Sequence, residues 1–490
     1  MFTYSIKITV ILLGIGCCLL HQSCSKVLEV DPPINSITTR EIFSSDDQAN
    51  MAIAAVYSTM VNSDAYFSNK GVTIAAGLSA DELYSYFGSA FPEDFAANTN
   101  KLQAVSTLTE SLWSSAYKII YYSNSIIEGI AESTSGTLTE QTRMELTGEA
   151  KLIRAFSYFY LTNLFGDVPL ALTVDFNKTQ RLPKAPQQEV YRQIVQDLKD
   201  AQAALREDYS VAGTGQERIR ANKWVATALL ARVYLYLRDY ANAAANAKLV
   251  LDQVGLYTLE MDLDKVFLSG SKEAIWQFKQ TPSHASIKNA TMEGNSFNPV
   301  PLATGRATYC LTDELLNAFE ENDQRRVHWT SNTDNSDPSG NSPGITIFPY
   351  KYKVGTHNSE SEVEPPEYYV GLRLAEIYLI HAEAQANGAA GGPAAAIDDL
   401  NVLRRRAGLD DLPATLTQSG VITAVAKERQ VELFAEWGHR WLDLNRTDKA
   451  SAVLSDISLK QPWLGDYQLR YPIPPDEINR DPVLIQNDGY

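Results

Sequence analysis

Cysteine is scarce in this chain of 490 residues: there are four, and Cys17, Cys18 and Cys24 all fall near the start, leaving Cys310 alone in the rest. That excludes a disulfide framework, so stability must come from packing. Histidine is equally sparse. The six are His21, His284, His328, His357, His381 and His439; no two lie one helical turn apart and no H-E-x-x-H string occurs, which argues against a helical zinc site. Positive charge is in deficit, with 42 Lys and Arg against 59 Asp and Glu and a net charge of −17. An acidic surface disfavours nucleic acid and anionic membrane as direct partners. Only one long apolar run is present, Ile8 to Leu20, thirteen residues after Lys7. It is too short for the roughly twenty residues that a membrane-crossing helix needs, and it has the dimensions of a secretion-signal core. No phosphate-loop motif occurs, and Gly213-Thr214-Gly215 lacks the third glycine and preceding strand of a dinucleotide loop.

What is present is an ordinary globular composition, 44% hydrophobic and 21% charged, enough for a sizeable core. Ser23-Cys24-Ser25 follows the apolar run at the distance of a bacterial lipoprotein-processing site, although His21 and Gln22 depart from the usual residues there. Residues 1–23 are therefore read as an export signal, and Cys24 as the lipidated first residue of the mature chain. Acyl chains at Cys24 would anchor the protein stably. Ordinary signal cleavage, with Cys24 a bystander, is the alternative. Residues 24–37 then form a tether, kept out of helix by Pro32 and Pro33.

Helical periodicity dominates the remainder. In EAKLIRAFSYFYLTNLFGDVPL (149–170), Leu152, Phe156, Phe159, Tyr160, Leu164 and Phe165 form one broad apolar stripe, which Gly166 and Pro169 end. Further helices are predicted over 38–62, 109–130, 140–165 and 187–206. Residues 221–253 read as a helical hairpin: Trp224, Leu229 and Tyr234 on the first helix face Ala243, Ala247 and Val250 on the second. Large against small is the packing logic of a tetratricopeptide repeat. Residues 368–387 with 392–407 form a second pair, and 109–130 with 143–165 a third. Strands are expected at 273–280 and 345–353. Residues 63–100 and much of 255–352 show no steady period and are read as loops carrying short pieces of structure. The fold class is mainly α: a tetratricopeptide-like helical scaffold with an irregular, loop-rich part.

Four further strings join the first: CSKVLEVDPP (24–33) with the helix after it, GLRLAEIYLIHAEA (371–384) with AIDDLNVLRRRAGL (396–409), KERQVELFAEWGHRWLDLNR (427–446), and the terminal YPIPPDEINRDPVLIQNDGY (471–490). In content and order these resemble the SusD/RagB family of outer-membrane lipoproteins, from Cys24 to Tyr490. The resemblance implies a single domain over 38–490, with an N-terminal portion at about 38–210 and a C-terminal portion at about 220–490. It implies a protein on the extracellular face of the outer membrane. There it would bind an oligosaccharide or polysaccharide and deliver it to a SusC-like TonB-dependent transporter. It implies no catalytic residue, no cofactor and no metal. Three alternatives stand beside it: the same role for a peptide or another nutrient, a periplasmic repeat adaptor that binds only protein, and an all-helical glycosidase.

The residues speak to the last of these. Glu428, Glu432, Glu436, His439, Arg440, Asp443 and Arg446 are close together and read as one helix. Glycosidase chemistry needs two carboxyls facing across a cleft about 5–10 Å wide, one of them with a raised pKa. Interleaved arginines lower carboxylate pKa values instead, so the string reads as a structural ion-pair network. His381 reads as a satisfied core histidine, and Asn332, Asp334 and Asp337 as a solvated turn. The remaining signal is aromatic. Tyr66, Phe67, Tyr84, Tyr86, Phe87 and Phe91 crowd the aperiodic 63–100 segment beside Asn69, Asp81 and Glu82. A sugar offers apolar C–H faces and hydroxyl edges, which flat rings with a few polar groups complement. The family resemblance adds a later loop, near Phe297, Tyr309 or Trp329. The ligand-binding candidates are therefore Tyr66, Phe67, Asp81, Tyr84, Tyr86, Phe87, Phe91, Tyr309 and Trp329.

Overall fold

Side-chain oxygens placed just ahead of apolar stripes start most of the long helices. The computed structural model describes residues 39–62, 66–212, 217–300, 305–334 and 344–490. The export signal, Cys24, the tether, Gly213–Gly215, Asp337 and the side chain of Tyr66 lie outside the described residues.

Helix α1 (Asp46–Asn62), inside the predicted 38–62 segment, buries Ala49, Ile53, Val56, Tyr57 and Met60 along one stripe. Beyond it lies an element the sequence reading missed, α2 (Gly71–Ser79), in which every residue is buried. Its string GVTIAAGLS has no polar face, so no 3.6-residue period can show. Strand β1 (Leu83–Ser85) and α3 (Pro92–Asn98) come next in the chain, the latter with proline in its first turn. Helix α4 (Thr107–Glu132) is capped by Ser106, and α5 (Glu140–Phe165) by Thr139, which accepts from the Thr142 amide. Gly166, at φ 80°, ends α5 in a conformation that glycine tolerates best. Helix α6 (Gln187–Ala204) leads to α7 (Lys223–Tyr236) and α8 (Tyr240–Leu251). Asn222 caps α7 by accepting from the amides of Trp224 and Val225, both at 3.0 Å.

The second half mixes strands into loops: β2 (Ala274–Phe278), β3 (Tyr309–Leu311), β4 (Thr330–Asp334), β5 (Ile345–Pro349) and β6 (Tyr369–Arg373). Each belongs to a two-stranded antiparallel pair, β1 with β3, β2 with β6, and β4 with β5. Helices α9 (Leu374–Ala386), α10 (Gly392–Arg406), α11 (Gln418–Glu432) and α12 (His439–Arg446) complete the frame.

Helices α4 to α11 pack in sequence order as a row of hairpins, each against the next. Small residues permit the approach. Ala243 and Ala247 of α8 are fully buried, and a Cβ built on Gly148 of α5 would lie 2.9 Å from the Cβ of Ala204 on α6. The fold class is as expected: mainly helical, repeat-like, with few short strands.

Two expectations need correction. Residues 369–373, assigned to a helix, form β6, which is buried on both faces and so shows no alternation. Residues 427–446 are not one helix. The chain breaks between α11 and α12, where Ala435, Trp437 and Gly438 have φ of 50°, 48° and 67°. The break turns Trp437 inward to stack on Tyr369 at 4.8 Å and to donate from its indole to the Val370 carbonyl at 2.8 Å. An unbroken helix would swing that ring out of the core.

Candidate functional site

The carboxylates of 428–443 are structural. Arg373 donates to Glu432 at 2.6 Å, to Glu273 at 2.9 Å and to Glu436 at 2.8 Å. Arg406 bridges Glu273 and Glu432, and Arg325 reaches Asp323, Glu428 and Glu432. All of these groups are buried. Burial alone would raise the Glu432 pKa, but Arg406, Arg373 and Arg325 overrule it and hold the carboxyl well below the usual range. Burial pulls His439 down to about 4, so its imidazole is neutral. His381 is satisfied by Asp399 at 2.6 Å and by Gln385. Asn332 and Asp334 lie on strand β4 rather than in a turn. Among the described residues no group of three or more His, Cys, Asp or Glu is arranged to hold a metal ion. The string Gly340-Asn341-Ser342-Pro343-Gly344 has G-x-S-x-G spacing. It runs directly into strand β5, whereas a nucleophile elbow turns from strand into helix.

The aromatic candidates separate into two sets. Phe67 is buried against Phe156 and Tyr160, with ring centres 6.0 and 5.8 Å away. Trp329 is fully buried, donates from its indole to the Leu263 carbonyl at 3.0 Å, and lies under the Lys351 ammonium. Asp81 is buried in a two-point ion pair with Arg440, both contacts at 2.6 Å. These three serve the core and are withdrawn as ligand contacts. The family resemblance placed Trp329 in a ligand loop, but in this chain its ring is enclosed in the core beside Phe267 and Arg406.

Tyr84, Tyr86, Phe87 and Phe91 do come together, whereas Tyr309 lies on the other face of the β1–β3 pair, beside Phe297. Strand β1 pairs with β3 so that Tyr84 faces Cys310 and Ser85 faces Tyr309. The Tyr86 amide extends the pairing by donating to the Thr308 carbonyl at 2.9 Å. The chain then turns through Gly88, at φ 51°, and re-enters α3 after Phe91. Tyr86 and Phe87 meet edge to face at 5.2 Å, and Phe87 and Phe91 at 5.0 Å. Phe91 is 45% exposed, Tyr86 and Phe87 are half-buried, and Tyr84 forms the floor with Ala307, Cys310 and Phe348. Burial raises the Tyr84 phenol above its ordinary pKa.

Polar groups that the sequence did not single out flank the two faces of this strand pair. The Tyr309 hydroxyl donates to Asp94 at 3.0 Å, and the Arg306 guanidinium lies 5.8 Å from the centre of the Tyr86 ring. Burial pushes the Asp94 carboxyl up and the Lys70 ammonium down. A lone Asp or Arg in a loop carries no pattern, and Asp94 and Tyr309 are 215 residues apart, so only the β1–β3 pairing reveals them. The arrangement is an open stair of rings with the Arg306 guanidinium at its edge and the Tyr309–Asp94 pair on the other face of the strands. It suits stacking and hydrogen bonding rather than bond cleavage. Two other clefts, of about 590 and 570 Å³, lie on the helical frame. The first is lined mainly by charged and amide groups, and the second by Tyr121 and Phe176 among others.

A row of helical hairpins presenting irregular loops with an aromatic surface is the build of a binding protein. Comparison with known proteins agrees. Residues 27–235 match the family described as "Starch-binding associating with outer membrane", and residues 324–490 match the SusD family. The chain belongs to the SusD/RagB family. A SusD-like protein of Formosa agariphila is 23% identical over 95% of this chain and 96% of its own length. The starch-binding protein SusD of Bacteroides thetaiotaomicron is 23% identical over 73% of this chain and 75% of its own. Among solved structures, a laminarin-binding SusD-like protein superposes with a TM-score of 0.74 at 26% identity, covering 91% of this chain and all of that one.

Proposed function

We propose that this protein is a lipid-anchored receptor on the outer face of the outer membrane. It captures a glycan on the arc formed by Tyr86, Phe87 and Phe91 and passes it to a SusC-like TonB-dependent transporter. Residues 1–23 direct export, Cys24 carries the acyl chains, 24–37 tether, and 38–490 act as one binding domain. The observation that carries this reading is the ring stair beside Arg306, half-open to solvent on an otherwise packed frame. Family membership and the starch and laminarin named for two relatives favour a polysaccharide of glucose among the possible glycans. The arc has polar groups for hydroxyls and no pair of carboxyls facing across a cleft, so the role is binding without turnover.

A binding screen of the soluble form starting at Ser25, against starch, laminarin, other glycans and peptides, tests the ligand class. Saturable binding to a glycan and no release of shorter products is the expected result; a peptide-only profile contradicts it. Protease shaving of intact cells tests placement: the protein is removed if it faces outward and spared if it is periplasmic.

A further inference from the structure

The two stems of the Tyr86–Phe91 loop meet at one buried ammonium. Lys460 is buried, and its Nζ donates to the carbonyls of Leu78 at 3.0 Å, Ser79 at 3.0 Å and Asn98 at 2.9 Å, and to Oδ1 of Asn100 at 2.6 Å. Leu78 and Ser79 end α2, and Asn98 ends α3. Four oxygens around one cation, three of them from helix C-termini, form the kind of cage that usually holds a bound ion. Here the cation is covalently tethered.

The same knot reaches β1. Asn98 donates to the Leu78 and Leu83 carbonyls at 3.3 and 3.1 Å and accepts from the Ser85 amide at 3.3 Å. Asn100 donates to the Ser79 carbonyl at 3.0 Å, and Lys101 returns a bond to the Gln461 carbonyl at 2.8 Å. Strand β1 leads into the aromatic loop and α3 leads out of it, so both stems are tied within a few ångströms of Lys460.

We propose that Lys460 is a positioning residue for the ligand surface, a built-in cation that clamps the ends of α2 and α3 and so fixes the base of the Tyr86–Phe91 loop. The inference rests on that loop being the ligand surface. Burial draws the lysine down to about 7. All four neighbours are acceptors, however, and a neutral amine would aim its lone pair at one of them, so the cage selects the charged form. Asp81 and Glu314 add favourable negative charge nearby.

The test uses the full mature chain with K460M, which keeps the volume and removes the charge, and K460A, which empties the cage. Amide exchange is followed over residues 78–101 and over the frame helices α7 and α8, together with affinity for whichever glycan the wild type binds. K460M is expected to exchange at least tenfold faster over 78–101, with α7 and α8 unchanged, and to bind at least tenfold more weakly. Ethylammonium added to K460A is expected to restore protection, and an equal concentration of ethanol is not. Wild-type exchange and affinity in K460M would overturn the proposal, as would uniform acceleration across α7 and α8 or rescue by ethanol. Should K460M fail to fold, K460A prepared in ethylammonium carries the test: selective loosening of 78–101 on its removal supports the clamp, and indifference to it refutes the clamp. A wild type that binds no glycan defeats the functional reading, while the exchange data still decide the clamp.

Discussion

The helical frame and the aromatic loop region are held together by different means. In the frame, α4 to α11 stack through apolar stripes, and small residues such as Gly148, Ala243 and Ala247 set the spacing. In the loop region, order comes from individually placed polar groups that bond to backbone. Asn98, Asn100 and Lys460 knot the stems, and Arg440 pins Asp81. Apolar packing is distributed, so a frame position shares its load with many neighbours. A polar knot concentrates it, because removing one buried partner leaves the other unsatisfied. A binding surface on irregular backbone therefore depends on a few buried polar residues that never touch ligand.

The largest effect is expected where the protein concentrates buried charge, in the network around Glu432. Replacing Glu432 with Ala strips one partner from Arg373, Arg406 and Arg325 at once and is expected to cost about 3–5 kcal/mol in chemical denaturation. A loss below about 1 kcal/mol would mean the network is dispensable. A smaller effect is expected in the frame: Gly148→Leu forces α5 from α6 and costs about 1–3 kcal/mol as overpacking, read as a lower Tm with the aromatic loop's exchange unchanged.

Per pH unit, the response to pH is smaller again. Glu82 is fully buried, and burial, reinforced by Asp81, raises it to about 8. Burial likewise raises Glu293 to about 8. Their folded pKa values exceed the unfolded ones, so the native state holds protons that the unfolded chain has released. The stabilisation is complete below the ordinary carboxyl pKa and is lost as pH rises to about 8. Each group contributes a slope of up to about 1.4 kcal/mol per pH unit across that window. Glu82→Gln is expected to flatten the pH dependence of urea denaturation; an unchanged slope would mean that the carboxyl is already ionised.

The smallest effect on stability, and the most informative about function, is Phe91→Ala. The ring is 45% exposed, so the Tm should hardly move while glycan affinity falls about fivefold, near 1 kcal/mol of lost stacking.

Much of the frame was legible because helices such as α1, α4 and α6 keep one buried and one exposed face over many residues. In short elements buried on every side the period vanishes, which hid α2 and β6. The break before α12 was hidden for another reason. Of its three left-handed residues only Gly438 is glycine, while Ala435 and Trp437 are forced there by core packing. In the site, the cluster Tyr84 to Phe91 stood out by composition. Composition does not report depth, which is why Phe67 was grouped with it, and a family resemblance does not either, which is why Trp329 was. Asp94, Arg306 and Lys460 were invisible, because each gains its role from a partner distant in sequence.

The central claim is that the ring stair captures ligand. Isothermal titration of the Ser25-start protein with the glycan it binds, repeated on a Tyr86→Ala/Phe91→Ala double variant, tests it directly. The account predicts saturable binding by the wild type and loss of most of it in the variant at an unchanged Tm. Full affinity in the variant would contradict it and move attention to the clefts beside Tyr121 or Arg470.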